Sequence, residues 1–155
     1  MTCIVQAVTG THIEAARRLF LAYAASLGID LGFQDFQGEL ATLPGDYVPP
    51  RGALLLAFDG EDALGCVAVR PLEAPRLAEL KRLYVSPARR GRGIGLELTQ
   101  AALNSARGAQ YERVLLDTLP SMDAAQRMYE RLGFRDIDAY RHNPIESTRY
   151  LELKL

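Results

Sequence analysis

The sequence is poor in the residues that build metal and disulfide chemistry: it has two cysteines, Cys3 and Cys66, and two histidines, His12 and His142. Each cysteine lies in an apolar stretch with no second Cys or His at ligand spacing, which argues against a disulfide framework or a zinc site and makes a reducing, cytoplasmic setting the expectation. Neither histidine has a Ser, Cys or second His nearby, so solvated or capping roles are expected rather than a triad or a metal centre. Long apolar runs are also missing. Nothing approaches the roughly eighteen residues of a membrane span, and Met1 to Thr9 lack the basic start and apolar segment of a signal peptide. Charge of one sign is absent in bulk: 18 Lys and Arg against 19 Asp and Glu give a formal charge of −1. Nucleic acid and anionic membrane are therefore not expected partners.

What is present fits a single domain over residues 1–155, since a 48% hydrophobic chain of this length can bury a core. Cys3 to Val8 alternates weakly as a strand. Thr11-His12-Ile13-Glu14 has the form of a capping box, predicting a helix start there. Ile13, Ala16, Phe20, Tyr23, Ala24 and Leu27 then lay one apolar stripe, with Gly28 as the stop. A short helix is expected near Asp35 to Leu43, and Leu43 to Gly52, with three prolines, reads as a loop. Ala53 to Phe58 and Leu64 to Arg70 read as a hairpin around Asp59-Gly60-Glu61-Asp62.

From Leu77 to Val85 the apolar positions change phase, with Ala78 and Leu80 even but Leu83 and Val85 odd. Side chains alternate faces along a strand, so the slip predicts one extra residue, a β-bulge near Lys81 and Arg82. Leu96, Thr99, Leu103 and Ala106 share a helical face ended by Gly108, and Val114-Leu115-Leu116 reads as a strand covered on both faces. Ala125, Met128 and Leu132 repeat at helical spacing up to Gly133, with Phe134 placed for a C-cap contact. Leu151, Leu153 and Leu155 alternate as a closing strand.

The segment with the most chemical content is Leu83-Tyr84-Val85-Ser86-Pro87-Ala88-Arg89-Arg90-Gly91-Arg92-Gly93-Ile94-Gly95, a strand end passing through glycines into a helix start. Glycines let backbone amides approach a ligand, and a helix N-terminus adds partial positive charge, which together make an anion site suited to a pyrophosphate. A P-loop would end in Gly-Lys-Ser/Thr, and this one runs Gly93-Ile94-Gly95-Leu96. A Rossmann fingerprint would need G-x-G-x-x-G, whereas Gly91, Gly93 and Gly95 space as G-x-G-x-G; Asp117, about twenty residues on, keeps that alternative open.

Arg90-Gly91-Arg92-Gly93-Ile94-Gly95 resembles the R/Q-x-x-G-x-G/A signature of the GCN5-related N-acetyltransferases (GNAT). Leu80 to Pro87 resembles that family's preceding strand, and Ala125-Gln126-Arg127-Met128-Tyr129-Glu130-Arg131-Leu132-Gly133-Phe134 its A-x-x-x-Y-E-x-x-G-F helix. The resemblance implies an α+β fold: a mixed, mostly antiparallel central sheet of about six to seven strands, about four flanking helices, and a splayed parallel pair at the cofactor site. It implies acetyl-CoA as co-substrate and no metal. The pyrophosphate would lie on amides of Arg90, Gly91, Arg92, Gly93, Ile94, Gly95 and Leu96, supplemented by Arg89, Arg90 and Arg92, with pantetheine along Leu83, Tyr84 and Val85. The acceptor would be a small-molecule or peptide amine, and homodimers are common in the family.

Tyr129 matches the family's tyrosine near the CoA sulfur; with a phenol pKa of about 10 against roughly 8.5 for a thiol it is protonated at neutral pH and can donate, although core packing also explains its position. Glu79 is the candidate base, if partial burial raises its pKa; a salt bridge or a water-mediated route are the alternatives. Where many members carry a pantetheine-contacting Asn, seven residues before the tyrosine, this chain has Met122; neighbouring Ser121 reads as a helix cap and Asp117 as a strand-end residue. Tyr140 and Asn143-Pro144 could line the acceptor pocket or simply form a turn.

The charges are segregated. Residues 75–92 hold Arg76, Lys81, Arg82, Arg89, Arg90 and Arg92 against Glu79, while residues 19–50 have no Lys or Arg and carry Asp30, Asp35, Glu39 and Asp46. The second stretch would either attract a cationic amine or form a solvated acidic face. An N-acetyltransferase using direct attack in a ternary complex is the leading expectation; a CoA-binding sensor of the same fold is the alternative that Met122 leaves open.

Overall fold

The computed structural model describes residues 2–32 and 35–155. Along the chain run β1 (Thr2–Gln6), α1 (Gly10–Leu27), α2 (Phe36–Thr42), β2 (Ala53–Asp59), β3 (Asp62–Pro71), β4 (Leu77–Val85), a 3-10 turn (Pro87–Arg89), α3 (Ile94–Gly108), β5 (Arg113–Thr118), α4 (Asp123–Leu132), β6 (Arg135–Asp136) and β7 (Arg149–Lys154). The strands form one sheet in the order β1-β2-β3-β4-β5-β7-β6. Every neighbouring pair is antiparallel except β4 and β5. This is the mixed sheet expected, and it removes the Rossmann alternative, which needs a parallel doubly wound sheet.

The continuous apolar runs of the central strands are explained by two cores, one on each face of the sheet. Leu55, Val67, Val69, Leu80 and Leu116 pack against Leu98, Ala102 and Leu103 of α3. Leu54, Leu56, Cys66 and Ala68 pack on the other face against Ala16 and Phe20 of α1 and Phe36 and Leu40 of α2. Alternation along each strand therefore buries both parities.

Helix ends follow the sequence with two corrections. The cap of α1 is Thr9, whose hydroxyl accepts from the His12 amide at 3.2 Å, while His12 Nδ1 accepts from the Val8 amide at 3.3 Å. His12 thus does the reciprocal work expected of Glu14, which instead pairs with Arg17. At α4 the N-cap position is Met122 and no side chain caps it, so Ser121 is not the cap. Gly133 ends α4 with φ of 103°, and the Phe134 amide donates back to the Tyr129 carbonyl at 3.0 Å while their rings lie 5.4 Å apart. That is a Schellman stop closed by its apolar contact.

The predicted bulge is present. Cys66 lies opposite Tyr84 and Ala68 opposite Lys81, so β4 carries one more residue than β3 between those pairs. Arg82 takes the extra position with φ of 63°, and the Cys66 thiol donates to its carbonyl at 3.2 Å. At Gly65 the strands approach so closely that a Cβ would stand 2.6 Å from the Tyr84 carbonyl oxygen, a position only glycine fills. Parallel pairing of β4 with β5 covers Leu77, Ala78 and Glu79 and ends there, although β4 continues to Val85 and β5 to Thr118. The two strands splay.

Candidate active site

The splay opens into a cleft of about 470 Å³, walled by Leu80 to Val85 of β4, Asp117 of β5, Tyr23, Ser26 and Leu27 of α1, the turn from Arg89 to Gly95 except Arg92, and Ser121 to Ala125, Met128 and Tyr129 around α4. Because β4 is paired on one edge with β3 and released on the other after Glu79, the backbone from Leu80 to Val85 presents an unpaired edge to this space.

At one end lies the glycine and arginine turn. Gly91 and Gly93 each have φ of 80°, and nothing within 4 Å would obstruct a Cβ there, so it is backbone conformation and not space that requires glycine. Gly93 is the N-cap of α3 and supplies no side-chain acceptor, which leaves the first amides of the helix directed into the cleft end without a capping partner. Arg90 is held in place by a 3.0 Å bond from its Nε to the Val85 carbonyl and by the Tyr84 ring 5.6 Å away. Arg89 is tied back to Asp59 at 3.3 Å, and Arg92 makes no ion pair among the described residues. Leu96 points to solvent, 39% exposed, and Thr99, Leu98 and Ile94 fill the core in its place.

Tyr129 reaches the cleft from α4. It is 5% exposed, and its hydroxyl makes no hydrogen bond among the described residues. Burial pushes its pKa upward, with Tyr23 and Asp117 adding to the shift, so the phenol stays protonated across the physiological range.

Glu79 is placed otherwise than a base requires. Its side chain is fully buried outside the cleft walls and accepts from Arg70 Nε at 2.8 Å, from Tyr140 Oη at 2.6 Å and from Arg141. Burial alone would raise its pKa, but Lys81, Arg141 and the Tyr140 hydroxyl outweigh it and hold the carboxyl below the usual range. The expected rise is corrected to a fall. Tyr140 belongs to this knot and not to the cleft wall, and Asn143 accepts from the Ile145 amide in its own turn.

One carboxylate of the acidic stretch, Glu39, is neutralised inside the protein. Arg82 donates to both carboxylate oxygens of Glu39, at 2.9 and 3.1 Å, and its guanidinium lies 5.8 Å from the Tyr23 ring and 5.2 Å from that of Phe36. Asp30 accepts from the Gly32 amide in a local turn.

Two cleft residues passed unnoticed in the sequence. Asp117, read there as a strand-end residue, has a buried Oδ2 with no hydrogen-bond partner among the described residues. Lys81, named there at the bulge and as one cation of six but given no role in the site, is 8% exposed, makes no hydrogen bond or ion pair among the described residues, and has its pKa pushed down to about 8 by burial and by Arg82. The one available signal was the phase slip: with Leu80 on the α3 face, Lys81 must face α1, and so must Asp117 beside Leu116. Among the described residues no group of three or more His, Cys, Asp or Glu could hold a metal ion, and no helix is long and apolar enough to cross a membrane.

Comparison with known proteins agrees with this geometry. Residues 15–134 match the acetyltransferase (GNAT) family. The chain is 39% identical over 144 residues to an uncharacterised N-acetyltransferase of Schizosaccharomyces pombe, covering 92% of this chain and 88% of that protein. It is 30% identical over 145 residues to human N-acetylaspartate synthetase, covering 92% of this chain but 45% of that longer protein. Its fold is similar to a GNAT-family acetyltransferase of Staphylococcus aureus (TM-score 0.82, 20% identity, 99% of both chains). A Bacillus subtilis acetyltransferase solved in complex with CoA is similar over 69% of this chain and 79% of its own (TM-score 0.57, 20% identity). With the splayed sheet, the glycine turn and the α4 tyrosine all accounted for, the chain belongs to the acetyltransferase (GNAT) family and is an N-acetyltransferase.

Proposed function

We propose that the chain transfers an acetyl group from acetyl-CoA to a primary amine by direct attack in a ternary complex, within one domain spanning residues 1–155. The observation that carries this is the release of β4 from β5 after Glu79 and Leu115, which exposes a strand edge between an uncapped helix start and a buried tyrosine, Tyr129, whose hydroxyl makes no hydrogen bond among the described residues. Amides of Arg90 to Leu96 would take the pyrophosphate, with Arg90 and Arg92 adding charge. Leu83 to Val85 would pair with pantetheine as with an added strand. Acetyl-CoA supplies the activated thioester; the chain's residues do the rest.

The acceptor nitrogen forms the new C–N bond as the C–S bond breaks, its proton leaves to Asp117 or to water, and the sulfur departs as thiolate that then takes up a proton from water. A free amide on the open edge of β4 would hold the carbonyl oxygen as charge grows on it. Tyr129, held above its ordinary pKa, is a poorer acid than a thiol of about 8.5, so its role is to hydrogen-bond the departing sulfur, not to give up its proton for good. Glu79 is left out of the proton path, because its carboxylate is already saturated by three partners.

The test is thiol release with acetyl-CoA over an amine panel, together with Tyr129→Phe. We expect turnover on at least one amine, and a drop in kcat of about 10- to 100-fold in the variant with an unchanged Kd for CoA. Saturable CoA binding without turnover on any amine would make the protein a sensor of the same fold, and unchanged kcat in Tyr129→Phe would return that residue to the core.

A further inference from the structure

The α1 face of the cleft carries a charge pattern of its own. Four cations and three carboxylates lie at this face and behind it, and most of them are matched inside the protein. Arg82 is bonded to Glu39, and Arg70 and Arg141 to Glu79. Removing those pairs leaves two groups, Lys81 and Asp117, both lining the cleft and neither bonded to the other nor to anything else among the described residues. Lys81 has the Glu79 carboxylate nearby but forms no ion pair with it, and an ammonium lining a cleft without a bonded partner persists where a ligand supplies one. The same holds, with opposite sign, for a buried carboxylate oxygen that accepts nothing.

We propose that the acceptor amine carries its own carboxylate, as an amino acid does, with that carboxylate seated on Lys81 Nζ and the amine approaching the thioester past Asp117. This rests on the acetyl-transfer reading above and names the acceptor class for it. Arg82 cannot serve as the anion site, because its fork is already closed on Glu39 between two aromatic rings. Lys81 can, since it sits on the bulge where β4 leaves β5, on the same sheet face as Asp117 and on the wall opposite Tyr129 and α4. One molecule with a positive and a negative end satisfies both groups, whereas a plain alkylamine would bury next to Lys81 with its charge of the wrong sign.

The experiment compares L-amino acids with their α-carboxamides and with the corresponding amines lacking the carboxyl group, in wild type, Lys81→Met and Lys81→Arg. Wild type should favour the carboxylate-bearing acceptor by about 100-fold in kcat/KM, the scale on which one partner of a buried charge pair acts. Lys81→Met should reduce that preference to about threefold or less, through KM for the acceptor and with the Kd for CoA unchanged, while Lys81→Arg should retain most of it. Equal use of amino acids and carboxamides by wild type, or an undiminished preference in Lys81→Met, would overturn the proposal. If no amine is acetylated, the functional reading falls but this inference is still decided: calorimetric titration of N-acetyl-L-amino acids into the CoA-bound protein should show binding that Lys81→Met abolishes, and absence of binding to wild type would overturn it.

Discussion

At the Gly91 to Leu96 end the cleft is made of backbone from one continuous stretch, whereas at the Lys81 and Asp117 end it is made of side chains delivered by segments far apart in sequence. The first end works through unbonded amides and two glycines with φ of 80°. The second depends on ion pairs that join Arg82 to Glu39 and Arg70 and Arg141 to Glu79, with a hydrogen bond from Tyr140 to Glu79. A backbone site tolerates many side chains around its glycines. A side-chain site is only as good as the partners that position it, so the two ends should respond to substitution in different ways.

The largest expected effect is at Glu79. Glu79→Ala removes the counter-charge of Arg70, Arg141 and Lys81 at a fully buried point and should cost about 3–5 kcal/mol of folding stability in urea denaturation. A variant of unaltered stability that had lost kcat and its acidic pH limb would restore Glu79 as the base and dissolve the distinction between knot and site.

The next effect has the opposite sign. Lys81 is charged and unpaired in the folded state, with a pKa near 8 against the ordinary 10.5. Between those values the unfolded chain holds a proton that the folded chain has released, so this group's contribution to stability rises with pH across the window; the penalty is complete below about 8 and gone above about 10.5. Lys81→Met should therefore stabilise the protein at pH 7 by about 1–3 kcal/mol and flatten the rise, as measured by denaturation from pH 7 to 10. A variant that is more stable yet poorer at holding its acceptor would place Lys81 with groups kept for function, not for folding. Lys81 is one of two lysines in the chain, the other being Lys154 near the end of β7.

This difference also explains what could be read from the sequence. The glycine turn, the bulge and the Schellman stop at Gly133 and Phe134 are local, each decided by residues within one turn or one strand, and all three were legible. The splay could be argued from the bulge. Legibility stopped where chemistry depends on partners 43 to 62 positions apart, as with Arg82 and Glu39 or Arg141 and Glu79. Glu79 looked like a base because its strand neighbours are apolar, and nothing local announced that the 140–141 segment would fold onto it. Asp117 looked structural because only the splay turns its Oδ2 into a cleft-facing group. Even the α1 cap is Thr9 and not the expected Thr11, because it is the Thr9 hydroxyl that meets a free amide three residues on.

The smallest expected effect belongs to the backbone end. Arg90 is positioned by the Val85 carbonyl and Arg92 has no partner among the described residues, so their charges supplement amides that remain when both side chains are cut. Exposed charge acts through a screened field, and Arg90→Ala with Arg92→Ala should weaken CoA binding by about 10-fold at low salt and less at higher ionic strength, with kcat at saturating acetyl-CoA nearly unchanged. Isothermal titration at two salt concentrations checks this. An unchanged Kd at both would remove the arginines from the anion site while leaving the amides in it. A loss of several orders of magnitude would mean that this end, too, is a side-chain site, and the contrast between the two halves of the cleft would disappear.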